Sequence, residues 1–290
     1  MAAPNLYECH GHILLDETGL GAARTRHSSK IDATALRTSF KALQNSGVSY
    51  FRDGGDNLGV CAYAREIAPA YGIRYAAPAF AIYKNGHYGS KLGRPYHTIS
   101  DFRTLVIKSK EEGADFIKLM LSGIMTFADC GELSCPSLSA DEIGTLIQIS
   151  HQEGFRVMAH VNGSETIQAA LKAGVDSVEH GYFMNDACLD LLVQTEAVWV
   201  PTLAPVAVFA KQSAVAGEIF VKQMAALRRA FAKGVLVASG SDSGAHGVPH
   251  GEGVRTELKL LKEASGLPEH PFEAQLQKAN KKICATFVFQ

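Results

Sequence analysis

The stretch "DATALRTSFKALQNSGVSYFRDGG", residues 32–55, holds one complete structural unit. Asp32 is placed as an N-cap, and a helical pattern runs over 32–44. The glycine of "SGVS" closes that helix as a C-terminal cap, and 46–55 reads as a strand entering a glycine-rich loop. The same cycle recurs along the chain. Helix 58–71 leads to strand "GIRYAAPAFAI" (72–82), and helix 101–112 to "ADFIKLMLSG" (114–123). Helix 140–153 precedes "FRVMAHV" (155–161), and helix 164–173 precedes "VDSVEHG" (175–181). Helix 186–196 leads to "AVWVPT" (197–202), and helix 216–233 to "VLVASGSD" (235–242). With the opening strand around "YECHGHILLD" (7–16), this makes eight strands separated by helices. Six of them follow a capping glycine, in "SGVS", "YGIR", "EGAD", "EGFR", "AGVD" and "KGVL". Alternation at this spacing predicts a parallel sheet with right-handed crossovers. Eight units in one chain of this length fit a closed (β/α)8 TIM barrel better than an open sheet. With no linker or low-complexity break, residues 1–290 read as a single domain.

Composition narrows the partners. The 290 residues are 47% apolar and 20% charged, ordinary for a globular protein. A net charge of −1 gives no reason to expect nucleic acid or an anionic membrane surface. No apolar run reaches the roughly 18 residues of a membrane span. "MAAPNLYE" has neither the basic nor the apolar region of a signal peptide. The six cysteines form no CxxC pair, so they read as reduced thiols in a cytoplasmic protein.

The polar residues that interrupt the strands carry the chemistry. His10 and His12 are two apart on the first strand and therefore share a face, a poor apolar surface but a good chelate. Lys118 lies on strand 4, His160 ends strand 5, His180 ends strand 6 and Asp242 follows strand 8. All sit toward the C-terminal ends of their strands, the edge where barrel enzymes assemble active sites. Each has a bland reading: a hydrogen-bonded core histidine for His160, a glycine turn for His180 and Asp242, a lysine snorkelling to the rim for Lys118. Their joint placement on one edge is what weighs against coincidence.

In order and spacing, His10-x-His12, Lys118, His160, His180 and Asp242 resemble the amidohydrolase superfamily of metal-dependent hydrolases. The resemblance is closest to its prolidase-like and imidazolonepropionase-like branch. "GVSYFRDGGD" is similar to that branch's strand-2 signature, "FIKLMLSG" to its lysine strand, and "NGHYG" (85–89) to its histidine loop. The likeness covers about residues 6–286. It implies two divalent metal ions, zinc in most relatives. His10 and His12 would hold the more buried ion, His160 and His180 the more exposed one. Lys118 would take up CO2 as a carbamate bridging both, which needs the neutral amine that an apolar strand favours. Asp242 would bind the buried ion and shuttle the proton from an attacking hydroxide to the leaving amine, and His87 would polarise the carbonyl oxygen.

The chain departs from that pattern in places. Glu8 stands where the relatives have an aspartate, Cys9 points away from the histidines, and Asn162 takes a position usually held by a small residue. Relatives also carry a small β-sandwich that this chain mostly lacks, so it reads as a lean barrel or as a truncated form of a longer parent. Phe287, Val288 and Phe289 would then need cover from the barrel, a partner subunit or missing sequence, and a homo-oligomer would supply it. The substrate is expected to be a small molecule. Tyr83, Lys84, Lys91 and Arg94 in the loop 83–97, Tyr182 after His180, and His246 in 243–253 are the candidate substrate contacts. The favoured reaction is hydrolysis of an amide-type C–N bond in a dipeptide, an N-acyl amino acid or a cyclic amide. Lactone, ester or phosphotriester hydrolysis on the same centre is the enzymatic alternative, and a non-catalytic metal- or ligand-binding barrel is the alternative outside catalysis.

Overall fold

The computed structural model describes residues 5–17 and 19–287. Nine strands lie among them: β1 (Leu6–Gly11), β2 (Val48–Asp53), β3 (Arg74–Ala76), β4 (Ala81–Lys84), β5 (Gly93–Tyr96), β6 (Ile117–Met120), β7 (Val157–Val161), β8 (Ser177–His180) and β9 (Val198–Val200). Every pairing is parallel, in the orders β1-β2-β3 and β5-β4-β6-β7-β8-β9. The alternating α/β plan of a TIM barrel is present, and all the described strands belong to these two sheets, none to a sandwich.

The ring is joined by individual hydrogen bonds where regular ladders stop. Asp115 N–H donates to Ala77 C=O (2.9 Å), tying the start of β6 to the end of β3. The segment expected as an eighth strand, 235–242, lies between β9 and β1 and joins them through isolated parallel bridges, Trp199 with Val237 and, just past its end, Gly11 with Ser243, rather than a regular ladder. Ala238 N–H donates to Trp199 C=O (2.9 Å), Cys9 N–H to Ser239 C=O (2.9 Å) and Asp242 N–H to His10 C=O (2.7 Å). Side chains intercept two further donors: Asn280 Oδ1 takes the Ser239 N–H (2.9 Å) and Glu8 Oε1 takes the Ser241 N–H (2.7 Å). Bonds to side chains satisfy the backbone there without building a ladder. Glu8, buried and pushed up to about 7 by desolvation, thus pins the two ends of the ring together.

The expected third strand, 72–82, divides into β3 and β4. Pro78 offers no N–H to a ladder, and Ala79 turns left-handed at φ 59°. The loop 83–97 is also more ordered than its composition suggests, because its far end returns as β5 beside β4. The six capping glycines hold: Gly47, Gly72, Gly113, Gly154, Gly174 and Gly234 all have φ between 69° and 88°. The expected helices appear within a few residues of their predicted bounds, except that 58–71 is α-helical only over Val60–Ile67 and tightens to a 3₁₀ turn at Ala68–Tyr71, where Pro69 enters. Four helices were not anticipated: Leu20–His27, Leu203–Phe209, Glu252–Ser265 and Glu269–Thr286. No helix among the described residues is long and apolar enough to cross a membrane.

Helices pack outside the strands on a large apolar layer that includes Phe102, Ile143, Ile147, Leu189, Leu227 and Phe231. Inside, the N-terminal end of the ring is filled by Cys9, Tyr50, Phe116, Met158 and Phe287. Phe287 meets Phe116 edge-on at 5.2 Å between centroids and lies 4.4 Å beneath the Arg52 guanidinium. The barrel itself therefore covers Phe287; Val288 and Phe289 lie outside the described residues.

Candidate metal centre

The expected ligands meet at the opposite, C-terminal end of the ring. Strand alternation turns His10 and His12 the same way, with ring centroids 5.6 Å apart. His180 stacks obliquely 4.9 Å from His10, and His160 lies 4.6 Å from His180. Asp242 Oδ1 is 3.5 Å from His12 Nε2 and 3.8 Å from His10 Nε2. One donor atom each from His10, His180 and Asp242 fall within 4.8 Å of one another. Lys118 is buried beside them, and its Nζ has no hydrogen-bond partner.

Partners behind the rings decide which nitrogens remain bare. Glu179, a carboxylate, can only accept, so His10 donates from Nδ1 (2.6 Å) and presents an unprotonated Nε2 that is itself unpartnered. His160 Nε2 faces the Gly123 carbonyl (3.2 Å), which leaves its Nδ1 lone pair free. His180 Nδ1 bonds the Thr202 hydroxyl at 2.7 Å. Burial keeps all four imidazoles neutral, with His12 and His160 pulled down to about 3 and His10 and His180 well below their usual value. Burial likewise brings Lys118 down to about 8 and lifts Asp242 to about 6. Four neutral nitrogens, an uncompensated amine and a carboxylate aimed at one space fit a divalent-metal centre.

Backbone features hold this geometry in place. A Cβ on Gly54 would lie 2.1 Å from His12 Cε1, so the ring occupies the space a side chain would need. A Cβ on Gly240 would come within 2.8 Å of the His10 backbone nitrogen. His180, Thr202 and Asp242 all adopt left-handed backbone, at φ 66°, 50° and 57°. Such residues cost about 1–3 kcal/mol each and cluster where a site demands them.

Two residues not anticipated from the sequence complete the support. Arg52 is fully buried and spends its donors on Cys9 C=O (2.6 Å), Ser177 Oγ (2.9 Å) and both oxygens of Glu179 (2.8 and 3.0 Å). It fixes the carboxylate that in turn orients His10. Their signal was available: a buried charge inside a strand needs an opposite partner, and Arg52 and Glu179 each lie within a strand segment.

The structure departs from several expected roles. His87 does not face the candidate ligands; the turn back from Lys84 directs its Nδ1 to the Pro136 carbonyl at 3.1 Å. The neighbouring Tyr88 takes the inward position, 4.8 Å from the His160 ring. Tyr83 is buried under Gly89 beside Met120 rather than on the cavity surface. Arg94 is on the outer side, paired with Glu112 (2.6 and 3.0 Å) and 3.8 Å above the Phe80 ring. Lys84 is tied to Glu142 at 2.8 Å. Tyr182 is buried and donates its hydroxyl to Thr202 C=O (3.0 Å), so it supports the left-handed turn there. His246 is exposed on the rim against Phe209, at 5.9 Å, while His250 is buried on Ser243 and Leu15 C=O. Asn162 lies in the cavity floor, bonded to Gly123 C=O and Tyr182 N–H.

A sequence model of the amidohydrolase family matches residues 1–270. The chain belongs to the amidohydrolase family. Ochratoxinase of Aspergillus niger is 26% identical over 313 aligned positions, spanning 93% of this amidohydrolase and 62% of ochratoxinase. An uncharacterized protein of Mycobacterium tuberculosis is also 26% identical, over 63% of this chain and 53% of its own. The chain thus spans less than two thirds of the length of either relative. Among solved structures, a Xaa-Pro dipeptidase with bound methionine superposes with a TM-score of 0.77 at 22% identity, covering 99% of this chain and 77% of that one. The crystal structure of Aspergillus niger ochratoxinase superposes at 0.73 with 22% identity, covering 95% and 69%. These likenesses place this amidohydrolase on the family's barrel fold.

Proposed function

We propose that the protein hydrolyses an amide-type C–N bond in a small molecule, using two divalent ions, zinc by preference, and a carboxylated Lys118. The observation that carries the reading is the convergence of the bare His10 Nε2, His180 and Asp242 beside a buried, unpartnered lysine amine. The amide bond is argued from kinship with ochratoxinase and the prolidase-like fold, and lactone or ester cleavage has no observation in its favour here. His10, His12 and Asp242 would hold one ion and His160 and His180 the other. Lys118, its amine lowered to about 8 by burial, would add to CO2 with loss of one proton, giving an anionic carbamate that could supply oxygen ligands to the ions. When bound, the ions supply a water acidic enough to attack at neutral pH.

The chain's own groups do the rest. Asp242, its side chain one-fifth exposed to the cavity, takes the water's proton and returns it to the departing nitrogen. Tyr88 rather than His87 is placed to donate to the carbonyl oxygen as negative charge develops there. Arg52 and Glu179 keep the His10 ring fixed. The free cysteines suit a reducing compartment, and the cytoplasm is the location proposed.

The test combines metal analysis with product detection. Purified protein expressed with bicarbonate is expected to hold about two divalent ions per chain and to release amine from neutral N-acyl amides. Failure to bind any metal after reconstitution would overturn the reading.

A further inference from the structure

We propose that this site selects amides that are uncharged and apolar away from the scissile bond, and discriminates against substrates carrying a free carboxylate; the inference rests on the amide hydrolysis proposed above. The cavity above the metal ligands has a volume of about 320 Å³. Its walls are apolar: Leu20 and Leu92 on one side, Met125 and Phe127 from the loop 122–136, and Val206 and Phe209 from the helix Leu203–Phe209. Phe127 and Phe209 meet across the loop and helix at 4.8 Å between centroids, and a bridge from Met125 to Leu133 holds the loop in shape. The wall is therefore a built surface rather than a set of stray side chains.

Charge is confined to the floor. Among the described residues that line the cavity, Lys118 is the sole lysine or arginine, and it belongs to the metal donor set. Of the cations that the sequence offers nearby, Arg94 pairs with Glu112, Lys84 with Glu142 and Arg24 with Asn57 Oδ1 at 2.6 Å, while Lys91 is exposed and outside the lining of the cavity. Apart from the candidate metal donors and Tyr88, the polar side chains of the floor are engaged as well. Asn162 bonds Gly123 and Tyr182, and the Thr202 hydroxyl bonds His180. A carboxylate on the substrate would lose its water against Phe127 and Phe209 with no cation to meet it, which is costly. An apolar group there gains from the same desolvation. In the reaction, water's oxygen bonds to the carbonyl carbon, the C–N bond breaks, and the nitrogen leaves with a proton; no co-reactant other than water is needed.

A matched pair isolates the charge. N-phenethylbenzamide and N-benzoylphenylalanine share one scissile amide and differ only by the carboxylate. Their sulfonamide counterparts, N-phenethylbenzenesulfonamide and N-benzenesulfonylphenylalanine, resist hydrolysis and report binding alone. On the metal-loaded protein, calorimetry is expected to find the neutral sulfonamide bound at least about tenfold more tightly, and kcat/KM to follow the same order for the amides. Ile124 lies on the cavity rim and is 41% exposed, so I124R should fold normally and narrow or reverse that ratio. Equal binding, preference for the carboxylate, or no binding of either sulfonamide would overturn the inference. Neutral preference in binding without release of benzoic acid would instead remove the hydrolytic reading and leave the selectivity of the cavity standing.

Discussion

Two buried cations lie at different depths in the ring, both within electrostatic reach of Glu179, and the chain treats them differently. Arg52, near the base, has its carbonyl, hydroxyl and carboxylate partners within 3.0 Å and an aromatic ring beneath it. Lys118, near the mouth, is just as deeply enclosed and has no hydrogen-bond partner, only the more distant charge of carboxylates such as Glu179 and Asp242. Taking either charge out of water costs several kcal/mol. At the base, that cost is offset by partners within the fold; at the mouth it is left open. Buried polar atoms without a partner are rare in native structures, and among the described residues three of the five, His10 Nε2, His12 Nδ1 and Lys118 Nζ, gather at the mouth. The contrast separates the scaffold of the site from its working surface.

Asp242→Asn tests the mouth most directly. Asparagine tolerates the left-handed backbone at φ 57°, so the fold should survive. Turnover should fall by about 10²–10⁴-fold, the usual contribution of a positioned acid–base group, while the melting temperature of the metal-free protein changes little. Unchanged turnover would break the assignment of the proton path.

Arg52→Met tests the base. It leaves Glu179 buried without its cation, and a loss of about 3–5 kcal/mol in denaturant unfolding is expected. A loss of activity without a loss of stability would mean that Arg52 serves the reaction and not the scaffold.

Lys118→Met should move stability in the opposite direction. Removing an unpartnered buried amine is expected to leave the metal-free protein as stable as before or more so, by about 1–3 kcal/mol, while metal content measured by mass spectrometry falls. Destabilisation of the metal-free protein on the scale of Arg52→Met would erase the distinction between the two cations.

The smallest expected effect compares neighbours. Tyr88→Phe should reduce kcat by about tenfold with metal content intact, the size of one lost hydrogen bond in a transition state. His87→Ala should leave kcat near the wild-type value. The reverse ranking would return His87 to the reacting carbonyl.

The candidate metal donors were legible because they break a rule: His10, His12, Lys118, His160 and His180 interrupt largely apolar strands, and alternation predicts that His10 and His12 share a face. The capping glycines were legible for a similar reason, since six repeats of one local device mark six helix ends. His87 and Tyr88 were not separable in this way. They lie in a turn, where no periodicity says which of two adjacent side chains faces inward. Arg94 and Tyr182 failed for want of partners, because Glu112 and the Thr202 carbonyl are distant in sequence and decide where each points. The segment 235–242 has a strand's composition, but Glu8 and Asn280, from opposite ends of the chain, claim its backbone donors. Long-range side-chain contacts, not propensity, set those outcomes.

The left-handed residues at the mouth have a consequence for how such a chain can change. His180, Thr202 and Asp242 each hold a backbone shape that glycine would adopt without strain, yet each supplies a side chain the site uses. At these positions stability and chemistry are selected in opposite directions. Variants chosen only for resistance to heat should drift toward glycine there, so the centre would be lost through improvements in folding, with the barrel left intact.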